Sequence, residues 1–196
     1  MYYVNSMKLV VAITGASGSI YAQRLLQLLD LDPKGPHEVH VALSTHAREV
    51  AHAETDHLGI PPNFQVHGDS SMQVPFVSGS ARFDAMVIIP CSMGTIGRIA
   101  HGYSDSAISR AADVFLKEKR KLILVPRETP WNLIQAKNVV TVMEAGADLI
   151  PAIPAFYHRP ETVLDLVDTV VARVLDHLGL EHALTKRWME GEEKGD

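Results

Sequence analysis

Four clusters in this 196-residue chain have residue types and spacing that could do chemistry. In Thr14-Gly-Ala-Ser-Gly18 an apolar run breaks into small residues before helical spacing begins near Ser19. Gly15 and Gly18 allow a sharp turn and a close backbone approach, and the helix start would offer unpaired N–H groups to an anion. Pro90-Cys-Ser-Met-Gly-Thr95 ends a second apolar run in the same way, and its Ser92 to Thr95 turn is the better phosphate seat. Arg110 and Lys117 lie two turns apart with Asp113 between them, which suits either an anion site or a solvated ion-pair stripe. Arg127 and Glu128 follow a third apolar run and put a cation beside a carboxylate.

An ordinary NAD site does not fit the first turn. Tyr21 stands where a third glycine would be, and the next strand ends in Ser44 instead of an acidic residue. Cys91 reads equally as a small buried hydrophobe or a reactive thiol, and no base is paired with it in the sequence. Glu54 falls near a helix C-terminus, where the dipole disfavours a carboxylate, so the residue by itself reads as a solvated surface group.

These clusters need strands and helices to hold them. Helical spacing predicts Ile20 to Leu29, stopped by Asp32-Pro-Lys-Gly-Pro36, then a helix through Ala47 to about Glu54 capped by Ser44 or Thr45. Further helices are expected over 96–100, 106–119, 132–144 and 162–178. Strands are expected at the apolar run ending in Ile13, at 38–44, 64–66, 83–91 and 121–126, and at 149–154, where prolines push it toward the sheet edge. Alternating strands and helices predict an α/β fold, a single doubly wound, mostly parallel sheet of Rossmann-like type. Such sheets bind ligands at the carboxyl ends of their strands, where Ser17, Ser44, Ser92, Thr95, Arg127 and Glu128 collect. The expected domain runs over 8–180, with a charged tail over 181–196 that carries Trp188.

Composition narrows the function. A formal charge of −5 leaves no basic footprint, so neither nucleic acid nor an anionic membrane is an expected partner. No apolar run approaches a membrane span, and the first six residues lack a signal-peptide pattern, which predicts a cytoplasmic protein. One cysteine excludes an intrachain disulfide. The 10 histidines show neither His-x-x-x-His nor His-Glu-x-x-His, and no metal is expected.

In order and spacing, Thr14-Gly-Ala-Ser-Gly18, Pro90-Cys-Ser-Met-Gly-Thr95, Arg110-Ala-Ala-Asp-Val-Phe-Leu-Lys-Glu118, Arg127-Glu-Thr-Pro130 and Pro154-Ala-Phe-Tyr157 resemble the flavin prenyltransferases of the UbiX type. The resemblance extends from about Lys8 to Trp188. It implies a homo-oligomer, dodecameric in that family, with FMN bound between subunits. The implied reaction moves a dimethylallyl group from dimethylallyl phosphate to reduced FMN, closing a fourth ring and making a prenylated FMN for a UbiD-type decarboxylase.

Carried over position by position, the resemblance assigns Gly15, Ala16, Ser17, Ser44, Ser92, Met93, Gly94, Thr95 and Arg127 to FMN. It assigns Arg110, Lys117, Tyr157 and Arg173 to the prenyl phosphate, and Glu54, Glu128 and Trp188 to the reaction chamber. The chain departs from the family at Asp105-Ser-Ala107, usually Asp-Asn-Leu, and at Gln135, commonly His. There is no Asp-rich magnesium motif, which suits a monophosphate leaving group neutralised by side chains, with Tyr157 as a neutral donor. Trp188 would shelter allylic positive charge by a cation–π attraction of about 1–2 kcal/mol when desolvated. Glu128 with Ser17 is the expected proton relay, making Glu128, Ser17, Glu54 and Trp188 the expected catalytic set. Two other functions fit the same architecture, an FMN carrier and a flavin-dependent cysteine decarboxylase. The second normally carries a Pro-Ala-Met-Asn motif that this chain lacks.

Overall fold

A computed structural model describes residues 7–36, 38–55 and 57–185. Strands β1 (Lys8–Ile13), β2 (Glu38–Leu43), β3 (Gln65–Gly68), β4 (Ala85–Cys91), β5 (Lys121–Pro126) and β6 (Asp148–Leu149) form one sheet in the order β3-β2-β1-β4-β5-β6. Every neighbouring pair is parallel. Helices α1 (Ser19–Leu31), α2 (Thr45–Thr55), α3 (Met93–Ala100), α4 (Ala107–Lys117), α5 (Leu133–Glu144) and α6 (Val163–Leu178) make the crossovers and cover both faces.

The central strands are apolar throughout because side chains alternate between two buried faces. Leu9, Val11, Ile13, Val87 and Ile89 point to one core, closed by Leu25 and Leu26 of α1 and Val170 and Val174 of α6. Val10, Ala12, Met86 and Ile88 point to the other, closed by Ile96 of α3, Ile108 and Phe115 of α4 and Val142 of α5. The strand order runs outward in both directions from the adjacent pair β1 and β4, so the crevice at their carboxyl ends is the topological switch point.

Helix starts are capped by local side chains. Ser106, Asn132 and Thr162 open α4, α5 and α6 in capping boxes reciprocated by Ser109, Gln135 and Asp165. Gln135 therefore has a structural partner of its own, Asn132.

Four strands differ from expectation: β2 ends one residue early at Leu43, β4 begins two residues late at Ala85, and the other two differ as follows. The short strand after the 58–62 loop begins one residue late and runs to Gly68. The 149–154 strand shrinks to Asp148–Leu149, because Pro151 and Pro154 have no N–H to give a ladder. Its extended course continues through Ile150 N–H donating to the Leu124 carbonyl and Ala152 N–H to that of Pro126.

Away from the switch point, buried His40 forms a polar chain within the sheet. Its Nδ1 lies 2.9 Å from His67 Nε2 and its Nε2 lies 2.8 Å from Glu38 Oε1. Lys8 Nζ pairs with Glu38 at 2.6 Å, and Phe76 and Phe83 close edge-on over His40.

Candidate functional site

A cavity of about 310 Å³ opens at the switch point. Thr14 and Gly15 after β1, Ser44 after β2, Thr45 and His46 at the start of α2, Asp69 after β3, and Ser92, Thr95 and Arg98 after β4 line it, together with Asp105, Ser106, Ile108 and Ser109 around the start of α4. Thr14 fixes the two central strand ends to each other. Its buried hydroxyl donates to the Pro90 carbonyl at 2.8 Å and accepts from Ser92 N–H at 2.8 Å.

Each turn is fitted to something close by. A Cβ on Gly15 would stand 2.6 Å from His46 Cβ, so only glycine lets the β1 turn pass the start of α2. Ser44 Oγ is buried on the cavity side of the same region and has no hydrogen-bond partner. It does not cap α2 as expected, and its hydroxyl is left for something the cavity holds. At α3, Ser92 Oγ caps Thr95 N–H at 3.2 Å and meets Thr95 Oγ1 at 3.0 Å.

The start of α1 is not an open anion seat. Glu54 reaches across from the last turn of α2, and its carboxylate accepts from Ser19 N–H at 2.8 Å and from Gly18 N–H at 3.0 Å. Burial works to raise its pKa, but the Ser17 hydroxyl, the Ser19 and Gly18 N–H groups and the Ser19 hydroxyl together hold it below its ordinary value. The α2 dipole does disfavour a carboxylate there, yet the positive end of α1 outweighs it. The start of α4 is also satisfied internally, since the Asp69 carbonyl accepts from Ala107 N–H at 2.8 Å and the Asp69 carboxylate from Ile108 N–H at 2.8 Å. Of the helix starts around the cavity, those of α1 and α4 carry a carboxylate over the first turn, whereas those of α2 and α3 carry none among the described residues.

The expected prenyl-phosphate residues are not brought together within one chain. Arg110 pairs with Asp113 at 2.9 Å and Lys117 pairs with Glu118, both on α4. Arg173 pairs with Asp176 at 2.8 Å on α6, across the sheet from α4. Exposed Tyr157 lies beside His158 in the loop after β6, the rings tilted by 47° with centroids 4.0 Å apart. Arg127 and Glu128 are exposed at the end of β5 and do not pair with each other; Glu128 Oε1 accepts from Thr129 N–H at 3.0 Å. Cys91 is completely buried, and burial pushes its thiol far above the ordinary range, which removes the reactive-thiol reading. Trp188 lies outside the described residues.

Sequence reading missed Thr14, Asp69, Arg98 and Asp105 on the cavity wall. Arg98 carried a usable signal, since it stands four residues after Gly94 and thus on the same helix face as the α3 first turn. Asp69 carried none, because only the fold brings the end of β3 to the start of α4.

A parallel sheet in this order, with hydroxyl-bearing strand ends around a switch-point cavity, defines a nucleotide-binding protein of the doubly wound class. The sequence model of the Flavoprotein family matches residues 3–175. Flavin prenyltransferase UbiX of Methanocaldococcus jannaschii is 44% identical over 187 residues, covering 93% of this chain and 98% of its own. A dodecameric FMN-dependent UbiX-like decarboxylase from Escherichia coli O157:H7 superposes with a TM-score of 0.87 at 42% identity, covering 94% of this chain and all (100%) of its own. A crystal structure of AnUbiX in complex with FMN and dimethylallyl pyrophosphate superposes with a TM-score of 0.87 at 39% identity, covering 96% of this chain and 100% of its own. The chain belongs to the flavoprotein family and, within it, to the UbiX flavin prenyltransferases.

Proposed function

We propose that the protein moves a dimethylallyl group from dimethylallyl phosphate to reduced FMN and so supplies a prenylated flavin to a UbiD-type decarboxylase. The observation that carries this reading is the switch-point cavity, where the orphaned Ser44 hydroxyl and the bare Gly15 backbone fit a hydroxyl-rich ligand pressed against the strand ends. FMN offers both a polyol chain and a terminal phosphate, and α3 supplies the helix start for the phosphate. Bound there, reduced FMN supplies an electron-rich ring system as the acceptor of the prenyl group.

The side chains then have four tasks. Arg110, Lys117 and Arg173 neutralise the phosphate as the carbon–oxygen bond breaks and the electron pair leaves with oxygen. Tyr157 donates to the same group. Glu128 accepts the proton that ring closure releases, with Ser17 as the neighbouring relay. Glu54 holds the turn that carries Ser17, and Trp188 covers the prenyl group.

Because α4 and α6 lie on opposite faces, the phosphate site is completed by a second copy of the chain in a homo-oligomer, which we take to be a dodecamer. Exposed apolar side chains on one stretch support this: Leu133, Ile134, Val140 and Met143 of α5, followed by Ile153 and Phe156. No helix of the described residues is long and apolar enough to cross a membrane, and the proposed location is the cytoplasm. No group of three or more candidate metal ligands is clustered among the described residues.

The test is anaerobic incubation of the protein with reduced FMN and dimethylallyl phosphate, followed by mass and absorbance of the released flavin. A flavin heavier by the prenyl unit with altered absorbance is expected, and recovery of unchanged FMN overturns the proposal.

A further inference from the structure

A flavin phosphate needs more than a helix start, and the cavity wall has one permanent cation among its described residues. Arg98 is the only Arg or Lys lining it; Arg127 at the end of β5 is not part of the wall. Arg98 rises from the last turn of α3 and folds back over the first turn. Its Nη1 donates to the Gly94 carbonyl at 3.3 Å. A Cβ on Gly94 would stand 3.5 Å from Arg98 Nη1 and 3.9 Å from Ser92 Oγ, so the guanidinium and the capping hydroxyl flank the same point of the helix start. A Cβ there would make ordinary van der Waals contact with both.

The guanidinium is held without being used up. Nε donates to Asp105 Oδ2 at 3.2 Å, and Asp105 accepts in turn from Ser109 Oγ at 3.2 Å, which fixes the carboxylate to the start of α4. The Arg98 N–H groups not committed to Asp105 and Gly94 remain to donate. The nearby carboxylates are held in place, Asp69 Oδ1 by the Ile108 N–H and Asp105 by Arg98 and Ser109, and each keeps its charge.

We infer that Arg98 is a binding residue for the phosphate of FMN, with Asp105 as its positioning residue. The inference rests on the reading that this cavity takes FMN. A phosphate at the α3 start meets the helix N–H groups from below and the Arg98 fork from the side, an arrangement suited to a dianion. Riboflavin, which has the same ring and polyol without the phosphate, gains nothing from Arg98.

The experiment is titration of the full-length protein with FMN and separately with riboflavin, in wild type, Arg98→Gln and Arg98→Lys. Arg98→Gln is expected to weaken FMN about 10- to 100-fold while riboflavin changes by less than about 3-fold, since the lost bonds are charge-assisted. Arg98→Lys, which keeps the charge without the fork, falls between. An FMN-to-riboflavin preference unchanged in both variants overturns the inference, as does an equal loss of both ligands, which marks a purely structural residue. Wild type with no affinity for either flavin defeats the reading of the cavity itself and the inference with it.

Discussion

The Glu54 carboxylate lies 2.8 Å from the backbone nitrogen of Ser19, so the last turn of α2 supplies the anion that sits on the first turn of α1. The two helices are thereby joined end to start beside the Thr14 to Gly18 turn. An anion competing for the same N–H groups would have to displace this carboxylate.

Glu54→Gln keeps the shape and removes the charge from the α1 dipole. A loss of about 0.3–1 kcal/mol is expected at neutral pH, the range for an exposed charge at a helix end. The sign with pH follows from the lowered pKa. Its contribution is fully present above the unfolded value near 4.5 and is lost as pH falls through the lower folded value. Urea denaturation at pH 7 and again in acid measures it. Equal gaps between wild type and variant at both pH values would contradict the charge–dipole account.

Gly15→Ala puts a methyl group 2.6 Å from His46 Cβ, a distance that requires backbone movement of the β1 turn or of α2. Overpacking of this kind costs about 1–3 kcal/mol, and the displaced wall belongs to the cavity, so FMN affinity should fall together with the melting temperature. A variant with unchanged melting and unchanged FMN titration would show that the turn has room.

The paired histidines give a second pH signature. With Glu38 accepting from His40 Nε2–H, His40 Nδ1 accepts from His67 Nε2–H. Burial, and secondly the neighbouring His40, hold His67 below its ordinary value of 6.5. The unfolded chain then binds more protons in the window below 6.5, so stability falls as pH drops from 6.5 toward the folded value and is full above it. Denaturation midpoints from pH 7.5 to 5 should show this slope, and His67→Gln should flatten it. A variant with the wild-type slope would place the acid sensitivity elsewhere.

Periodicity and turn residues were enough to read the sheet, because strands buried on both faces are written as apolar runs and helix starts as Ser, Asn and Thr caps. The β6 boundary was harder, since Ile150 and Ala152 keep bonding to β5 after the prolines have ended the ladder. The site divides in the same way. Ser44 and the Ser92 turn were legible because a strand end announces its own chemistry. The partner of the α1 start was not, because Glu54 and Ser19 are distant in sequence and nothing local marks a surface glutamate as a cap. Arg110 and Arg173 look like one site in a motif string and stand on opposite faces of one chain.

Lys117→Ala separates a surface stripe from a phosphate site. Lys117 pairs with Glu118 at the exposed end of α4, and as a solvated pair its loss would change stability by only a few tenths of a kcal/mol, with turnover unchanged. As a phosphate ligand its loss should raise KM for dimethylallyl phosphate or lower kcat, reducing kcat/KM on the order of 100-fold, while FMN titrates as in wild type. Steady-state kinetics beside an FMN titration decides between them, and unchanged kcat/KM restores the stripe.

Glu128 distinguishes a catalyst from a flavin carrier. In a structural role it would pair with Arg127, but its carboxylate instead accepts from Thr129 N–H, and no Arg127 ion pair forms among the described residues. The side chain is exposed in the single chain, so little folding stability depends on it. Glu128→Gln preserves the side-chain shape and its acceptor oxygen, and removes the capacity to take up a proton at neutral pH. Binding of FMN and of the prenyl phosphate should therefore persist. Formation of the prenylated flavin should slow by about 100- to 10,000-fold, the usual contribution of a general acid–base group. Single-turnover absorbance with reduced FMN reads the rate, and a separate titration reads FMN affinity. A parallel fall in both would return Glu128 to a structural role, and a wild-type rate in the amide would leave proton removal to another group.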